Sequence, residues 1–155
     1  MAGGESGAKA LNASRMNSTG GLEFAPEIAA ALSECVSSAE LSWLALGYES
    51  KKALKLLATG SSGGYAALKP HLTDDAVVYS AFKVACAGSQ KLVFLSSIGP
   101  NAGGMVKGRA TAHTQIVENA LEGTTVGIQV ADPEDFEPDA IAAKLTKALG
   151  SPVTL

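Results

Sequence analysis

The segment from Ala76 to Val130 constrains the fold more than any other part of the chain. Ala76 to Ala85 places Val77, Tyr79, Ala81 and Lys83 on one side of an extended backbone and Val78, Ser80, Phe82 and Val84 on the other. That is the period of two of a long strand with two dissimilar faces. Ala87-Gly88-Ser89-Gln90 reads as a hairpin connection, and Lys91 to Ile98, centred on Leu92-Val93-Phe94-Leu95, returns as the next strand. After the glycine-rich loop Gly99 to Gly104, a helical pattern runs from about Arg109 to Leu121 with Ala112, Ile116, Val117 and Ala120 on one stripe, and Gly123 stops it. Val126 to Val130 then reads as a further strand. The Phe94 strand, this helix and the Ile128 strand make a β-α-β unit, whose strands run parallel with a right-handed crossover. A hairpin feeding a parallel crossover demands a mixed sheet.

The flanking segments extend it. Ala25-Pro26-Glu27 carries helix-start signals, with proline in the first turn and an acid beside it. Ile28, Leu32, Cys35 and Val36 follow at helical spacing, and Ser37-Ser38 closes the segment. Leu41 to Tyr48 and Ala53 to Thr59 read as two strands joined at Ser50-Lys51-Lys52, and Gly60 to Gly64 as a flexible loop. Tyr65 to Leu72 is a short helix or irregular turn cut by Pro70. Asp132-Pro133-Glu134 opens a last helical region with Ile141, Leu145, Ala148 and Leu149 buried, closed by Gly150-Ser151-Pro152. The expectation is an α+β sandwich: a central mixed β-sheet of about five to six strands with helices on both faces. Residues 1–22 are expected to be a flexible Gly/Ser-rich tail, 23–150 the domain, and 151–155 a short C-terminal tail.

Composition narrows the function classes. With 155 residues one domain is expected, and 46% hydrophobic residues exclude wholesale disorder. A net charge of −3 argues against a nucleic-acid binder, which needs clustered Lys and Arg. No apolar run approaches the roughly 20 residues of a membrane span. Met1 to Gly7 shows no secretory pattern, and Cys35 and Cys86 are far apart with no C-x-x-C. The expectation is therefore a soluble intracellular protein, with both thiols reduced, no membrane partner and a monomeric state.

Sites for chemistry are sparse. His71 sits beside Pro70 in a loop and His113 on a helix, neither with a Cys, Ser or carboxylate pattern around it. The glycine-rich loops match neither phosphate-binding motif. There is no nucleophile elbow and no metal-ligand spacing. No catalytic residue, metal or cofactor is assigned, and a binding module is expected.

Three stretches then carry a resemblance: Leu41-Ser42-Trp43-Leu44-Ala45-Leu46-Gly47-Tyr48-Glu49, Lys91 through Asn101, and Val106-Lys107-Gly108-Arg109-Ala110-Thr111-Ala112. In order and spacing they resemble the actin-depolymerising factor homology (ADF/cofilin) family, over about residues 23 to 150. Ile98, Gly99 and Asn101 match the loop of its coactosin branch, where Ser97 stands in place of a tryptophan. Lys107 and Arg109 fit a pair of basic residues at the start of the long helix.

The resemblance implies the ADF-homology fold and an actin-binding protein of the coactosin type. Such a protein would bind the side of actin filaments, with weaker or no binding to monomeric actin and no enzymatic activity. It would be cytoplasmic and cytoskeleton-associated. The alternative within the family is cofilin-like monomer binding with depolymerisation or severing. Thr114, Gln115, Glu118 and Glu122 stand where cofilins carry further bases along the helix, which favours the filament reading. The implied actin-binding residues are Lys91, Lys107, Arg109, Asn101, Lys144 and Lys147. Other readings of these residues stand beside the functional one. Lys91 is also an edge charge that discourages strand-to-strand aggregation, and Lys144 and Lys147 suit the C-terminus of a helix anyway. Lys107 and Arg109 sit at the end of a helix where its dipole disfavours cations, which asks for a reason other than stability. Outside the family, a small α/β enzyme using His71 or His113 and a scaffold for another protein are the competing classes.

Overall fold

A computed structural model describes residues 18–19, 21–37 and 41–155. In chain order the elements are β1 (Ser18–Thr19), β2 (Leu22–Phe24), α1 (Pro26–Ser37), β3 (Trp43–Ser50), β4 (Ala53–Gly60), α2 (Gly64–Leu68), a 3₁₀ turn (Lys69–His71), β5 (Val77–Cys86), β6 (Ser89–Ile98), α3 (Gly104–Ala120), β7 (Gly127–Val130), a 3₁₀ turn (Pro133–Phe136), α4 (Pro138–Leu149) and β8 (Val153–Thr154). The strands form one mixed sheet in the order β1-β2-β4-β3-β5-β6-β7, with β8 paired to β5.

The β5–β6 hairpin is the spine of this sheet. Its register runs unbroken from Val77↔Ile98 to Cys86↔Ser89. The connection is shorter than expected: Ser89 and Gln90 are already in β6, so the turn is Ala87-Gly88. Both turn residues have positive φ, 52° and 81°, the twist a two-residue hairpin turn needs. β7 pairs parallel to β6, Phe94 opposite Gly127, so the expected β-α-β crossover is present.

Helices cover both faces. On one, Ile28, Leu32 and Cys35 of α1 and Ala110 and Val117 of α3 pack on Leu44, Leu46, Tyr79, Leu92 and Phe94. On the other, Tyr65 and Leu68 of α2 and Ile141 and Leu145 of α4 pack on Trp43, Val78, Phe82, Val93 and Leu95. The faces of β5 are therefore alike in burial, where alternation had suggested dissimilar ones. Being central, the strand is covered twice.

Other expectations need correction. The sheet has eight strands, because three short ones carry no periodicity of their own. Ser18–Thr19 and Leu22–Phe24, at the edge of the expected tail, form a β ribbon, and Leu22 is fully buried; residues 1–17 and 20 of that tail lie outside the described residues. Val153–Thr154, also expected as tail, pair with Cys86 and Ala85. Helix α3 begins at Gly104, not near Arg109. Val36, Ala112 and Ala148 are exposed, while Ala110 takes the inward place on α3. Both cysteines are buried and free. Burial, partly countered by the Lys83 ammonium, pushes the Cys35 thiol up to about 11, so it stays protonated and unreactive near neutral pH.

Candidate functional site

The loop after β6 sets the start of α3. Gly99 donates its N–H to Ala76 O at 2.9 Å, and Asn101 donates its N–H to Asp74 O at 2.7 Å. A Cβ on Gly99 would lie 2.5 Å from the Asp74 carbonyl, so only glycine admits this approach. The Asn101 amide donates to Asp74 Oδ2 at 3.2 Å. Lys107, one turn into α3, donates to Pro100 O at 3.2 Å and ties the helix back to the loop.

The N-terminus of α3 is unprotected. Gly103 occupies the capping position without a side-chain hydrogen bond, and the first turn holds no acid. Lys107, at the end of the first turn, therefore adds positive charge to the positive end of the helix dipole, against stability, and Arg109 in the second turn does so more weakly. The outward positions Gly104, Gly108 and Ala112 are small and exposed. Met105 projects from the same end with 79% of its surface exposed.

Arg109 lies beside an aromatic cluster. Its guanidinium carbon is 5.8 Å from the centre of the Tyr48 ring, within cation–π range. The Tyr48 hydroxyl is 2.9 Å from that of Tyr79 and 2.8 Å from Nδ1 of His113, and Tyr79 donates to Ala110 O at 3.5 Å. Burial raises the titration of both tyrosines. Burial, then the neighbouring Arg109 charge, lowers that of His113. The cluster is neutral apart from Arg109.

The six expected residues fall into two groups. Asn101, Lys107 and Arg109 gather at the C-terminal end of β6, with α3 on the face shared with α1. Lys91 is the third residue of β6, at its other end, and stands opposite Val84. Strand alternation gives it the opposite face, that of Val93 and Leu95. Lys91 and Ile98 are separated by about 23 Å along the strand at roughly 3.3 Å per residue. Lys144 and Lys147 ride on α4, which covers the face of Lys91. The C-terminal end of α4 reaches the β5–β6 turn, where Cys86 Sγ contacts Ser151 O at 3.8 Å, so Lys147 and Lys91 share one end of the sheet. On α3, Thr114 turns inward, bonding Ala110 O at 2.7 Å and meeting Ser96. It is thus no part of the solvent-facing stretch it was grouped with.

The histidines lie on opposite faces: His71 against Trp43, ring centres 5.2 Å apart, and His113 against Tyr48. They form no joint site. Among the described residues no cluster of three or more His, Cys, Asp or Glu is placed to hold a metal, and no helix is long and apolar enough to cross a membrane. Sequence reasoning passed over Met105 and Tyr48. Met105 falls between the expected loop Gly99 to Gly104 and the expected helix start near Arg109, though a large apolar residue among glycines is itself a signal. Tyr48 depends on partners 31 and 65 residues away, which no local pattern reveals.

A family model described as cofilin/tropomyosin-type actin-binding protein matches residues 21–146. The drebrin-like protein of Mus musculus is 30% identical over 112 residues, 70% of this chain and 26% of the relative. The chain thus spans about a quarter of the length of that relative. Coactosin from Entamoeba histolytica superposes with a TM-score of 0.71 at 20% identity, covering 85% of this chain and 99% of that one. Mouse coactosin, described as an actin filament binding protein, superposes with a TM-score of 0.65 at 18% identity, covering 83% and 92%.

Proposed function

Because the chain belongs to the cofilin/tropomyosin-type actin-binding protein family, we propose that it attaches to the sides of actin filaments and acts on the cytoskeleton by binding, with no enzymatic step. The observation that carries this reading is the separation of its basic residues. Lys107 and Arg109 stand at one end and face of the sheet, and Lys91 with Lys144 and Lys147 at the other end and opposite face. A single flat partner surface meets one of these groups. A partner that repeats along an axis can meet both, with one subunit on each side of the bound domain and charge complementarity at each. The end of α3 supports the same reading. Its outward small residues let another backbone approach, Met105 supplies an apolar anchor, and uncompensated positive charge suits an acidic partner. On this reading the protein is a monomer located with the cytoskeleton in the cytoplasm.

Co-sedimentation with filamentous actin over a salt series tests the proposal. The expected result is pelleting that weakens as salt rises, with no rise in the soluble actin fraction. A rise in the soluble actin fraction, or faster depolymerisation of diluted filaments, would move the function to the monomer-binding, disassembling kind. Complete absence of pelleting at low salt would remove filament binding altogether.

A further inference from the structure

We propose that Tyr48 is a positioning residue for the binding surface, holding the guanidinium of Arg109 in place from beneath the helix. The inference rests on the reading of the basic end of α3 as part of that surface.

Three observations carry it. First, the Tyr48 ring is the platform under Arg109, 5.8 Å from guanidinium carbon to ring centre. Second, that ring is fixed at its far end rather than by sheet pairing alone. Tyr48 pairs with Leu54 of β4, but on its other side the last pair between β3 and β5 is Gly47↔Val78, and a register shift follows between Tyr48 and Ser50. Its hydroxyl is instead held between Tyr79 of β5 at 2.9 Å and His113 of α3 at 2.8 Å. Third, the two ends of this arrangement are on one helix. Arg109 and His113 are four residues apart and share a face of α3. His113 anchors the tyrosine from one turn further on, and the tyrosine supports Arg109. The next residue, Glu49, is exposed, and the group that meets the Arg109 guanidinium is the Tyr48 ring, so the platform is aromatic rather than anionic.

The chemistry explains why such a platform matters. A free arginine samples many rotamers and loses that freedom on binding. A stacked one is already confined, so less ordering is left to oppose association. An anionic partner group would tie up the guanidinium as an ion pair. The quadrupole of a ring orients it while leaving its N–H donors available to a carboxylate on the partner. Tyr48 thus acts on the partner through Arg109, without requiring a contact of its own.

A double-mutant cycle in filament co-sedimentation tests this, with Tyr48→Leu, Arg109→Ala and the double variant, and thermal unfolding recorded for each. The expected result is a loss of about two- to fivefold for Tyr48→Leu, in keeping with a half-exposed cation–π contact. Arg109→Ala should lose at least as much, and the double variant no more than Arg109→Ala alone. Arg109→Lys, which keeps the charge but stacks poorly, should behave like Tyr48→Leu. If Tyr48→Leu binds like the parent, or the two losses simply add, the positioning role is overturned while filament binding by this surface stands. If Arg109→Ala itself leaves binding unchanged, Arg109 is not on the binding surface and both readings of it fall. Should Tyr48→Leu not fold, the cycle is run with Tyr48→Phe, which frees the ring from both hydroxyl contacts. A smaller coupling of the same sign is then expected, and strict additivity overturns the proposal.

Discussion

The β5–β6 hairpin and the first turns of α3 adjoin in the chain, yet they are built on opposite terms. From Leu92 to Gly99 every residue of the hairpin is buried, and residues alternate between two helix-covered faces, each fixed by an unbroken register. In the first seven residues of α3 only Ala110 is buried, no side chain caps the helix, and a cation, Lys107, closes a first turn that holds no acid. Packing accounts for the hairpin's residues almost one by one. It accounts for little of Gly104 through Arg109. Val106 packs against the core, but the outward residues of this segment have no cap, acid or apolar contact to explain them and are best explained by what meets their surface. Substitutions in the two regions should therefore change different measurements.

The largest effect belongs to the hairpin. Phe94 is 1% exposed and stacks on Tyr79, ring centres 6.3 Å apart. Phe94→Ala should cost about 3–5 kcal/mol of unfolding free energy, measured by urea titration, which is a large share of the stability of an ordinary domain. A loss under about 1 kcal/mol, from a site with no room to relax, would break the contrast between the regions.

Next comes the joint between them. Gly99→Ala pushes a methyl group into the Asp74 carbonyl, and the overlap should cost about 1–3 kcal/mol. The same change displaces Asn101 and the base of α3, so filament binding should fall together with stability. A stable variant with parent-like binding would show the loop to be a passive connection.

On α3 itself the two measurements should part. Lys107→Glu puts an acid near the positive helix end, where it stabilises by about 0.3–1 kcal/mol, less what the lost bond to Pro100 O supplied. Thermal stability should hold or rise slightly. Filament binding should fall about tenfold, since the change removes an attraction and adds a repulsion. Equal pelleting by variant and parent would detach this end of α3 from the binding surface.

A smaller effect reverses the usual direction in the core. Ser80 donates to Leu95 O at 3.4 Å and Ser96 meets Thr114. The Ser97 hydroxyl is buried without a partner among the described residues. Ser97→Ala should stabilise by about 1 kcal/mol, because the desolvated hydroxyl is lost and no bond goes with it. Destabilisation would show that the hydroxyl has found a partner, such as a buried water.

Much of the hairpin was legible in the sequence because its signals are local: alternation, a glycine turn, and a β-α-β order that admits one handedness. The ribbon of Ser18–Thr19 and Leu22–Phe24 was not, since strands of two or three residues have no period to read. The start of α3 was missed because Gly103, Gly104 and Gly108 lower helix propensity, and it is packing of Ala110 and Val117 that holds the helix. For the candidate site, the basic residues were legible as types, but not their division between two faces. That division depends on which helix covers which face of β6, and alternation within the strand does not say which. Tyr48 was legible only as a strand residue, since its role comes from Tyr79 and His113.

The smallest effect concerns pH and places a titrating group between the two regions. Burial and the Arg109 charge lower the pKa of His113 in the folded protein, relative to about 6.5 in an unfolded chain. The unfolded state therefore binds more protons as the pH falls from that value toward the folded pKa. The stability held by neutral His113 is thus fully present above pH 6.5 or so and is lost as acid reaches the folded pKa. The midpoint of thermal unfolding should decline on acidification through this window, and His113→Gln should remove that part of the slope. His71→Gln serves as the control, its ring lying against Trp43 on the other face. A protonated ring donates from Nδ1, and the Tyr48 hydroxyl oxygen accepts there. The link between α3 and the sheet should therefore survive protonation, leaving a shallow change and no second unfolding transition. A separate acid transition, present in the parent and absent from His113→Gln, would show that this bond, not the core beneath it, fastens the helix to the sheet.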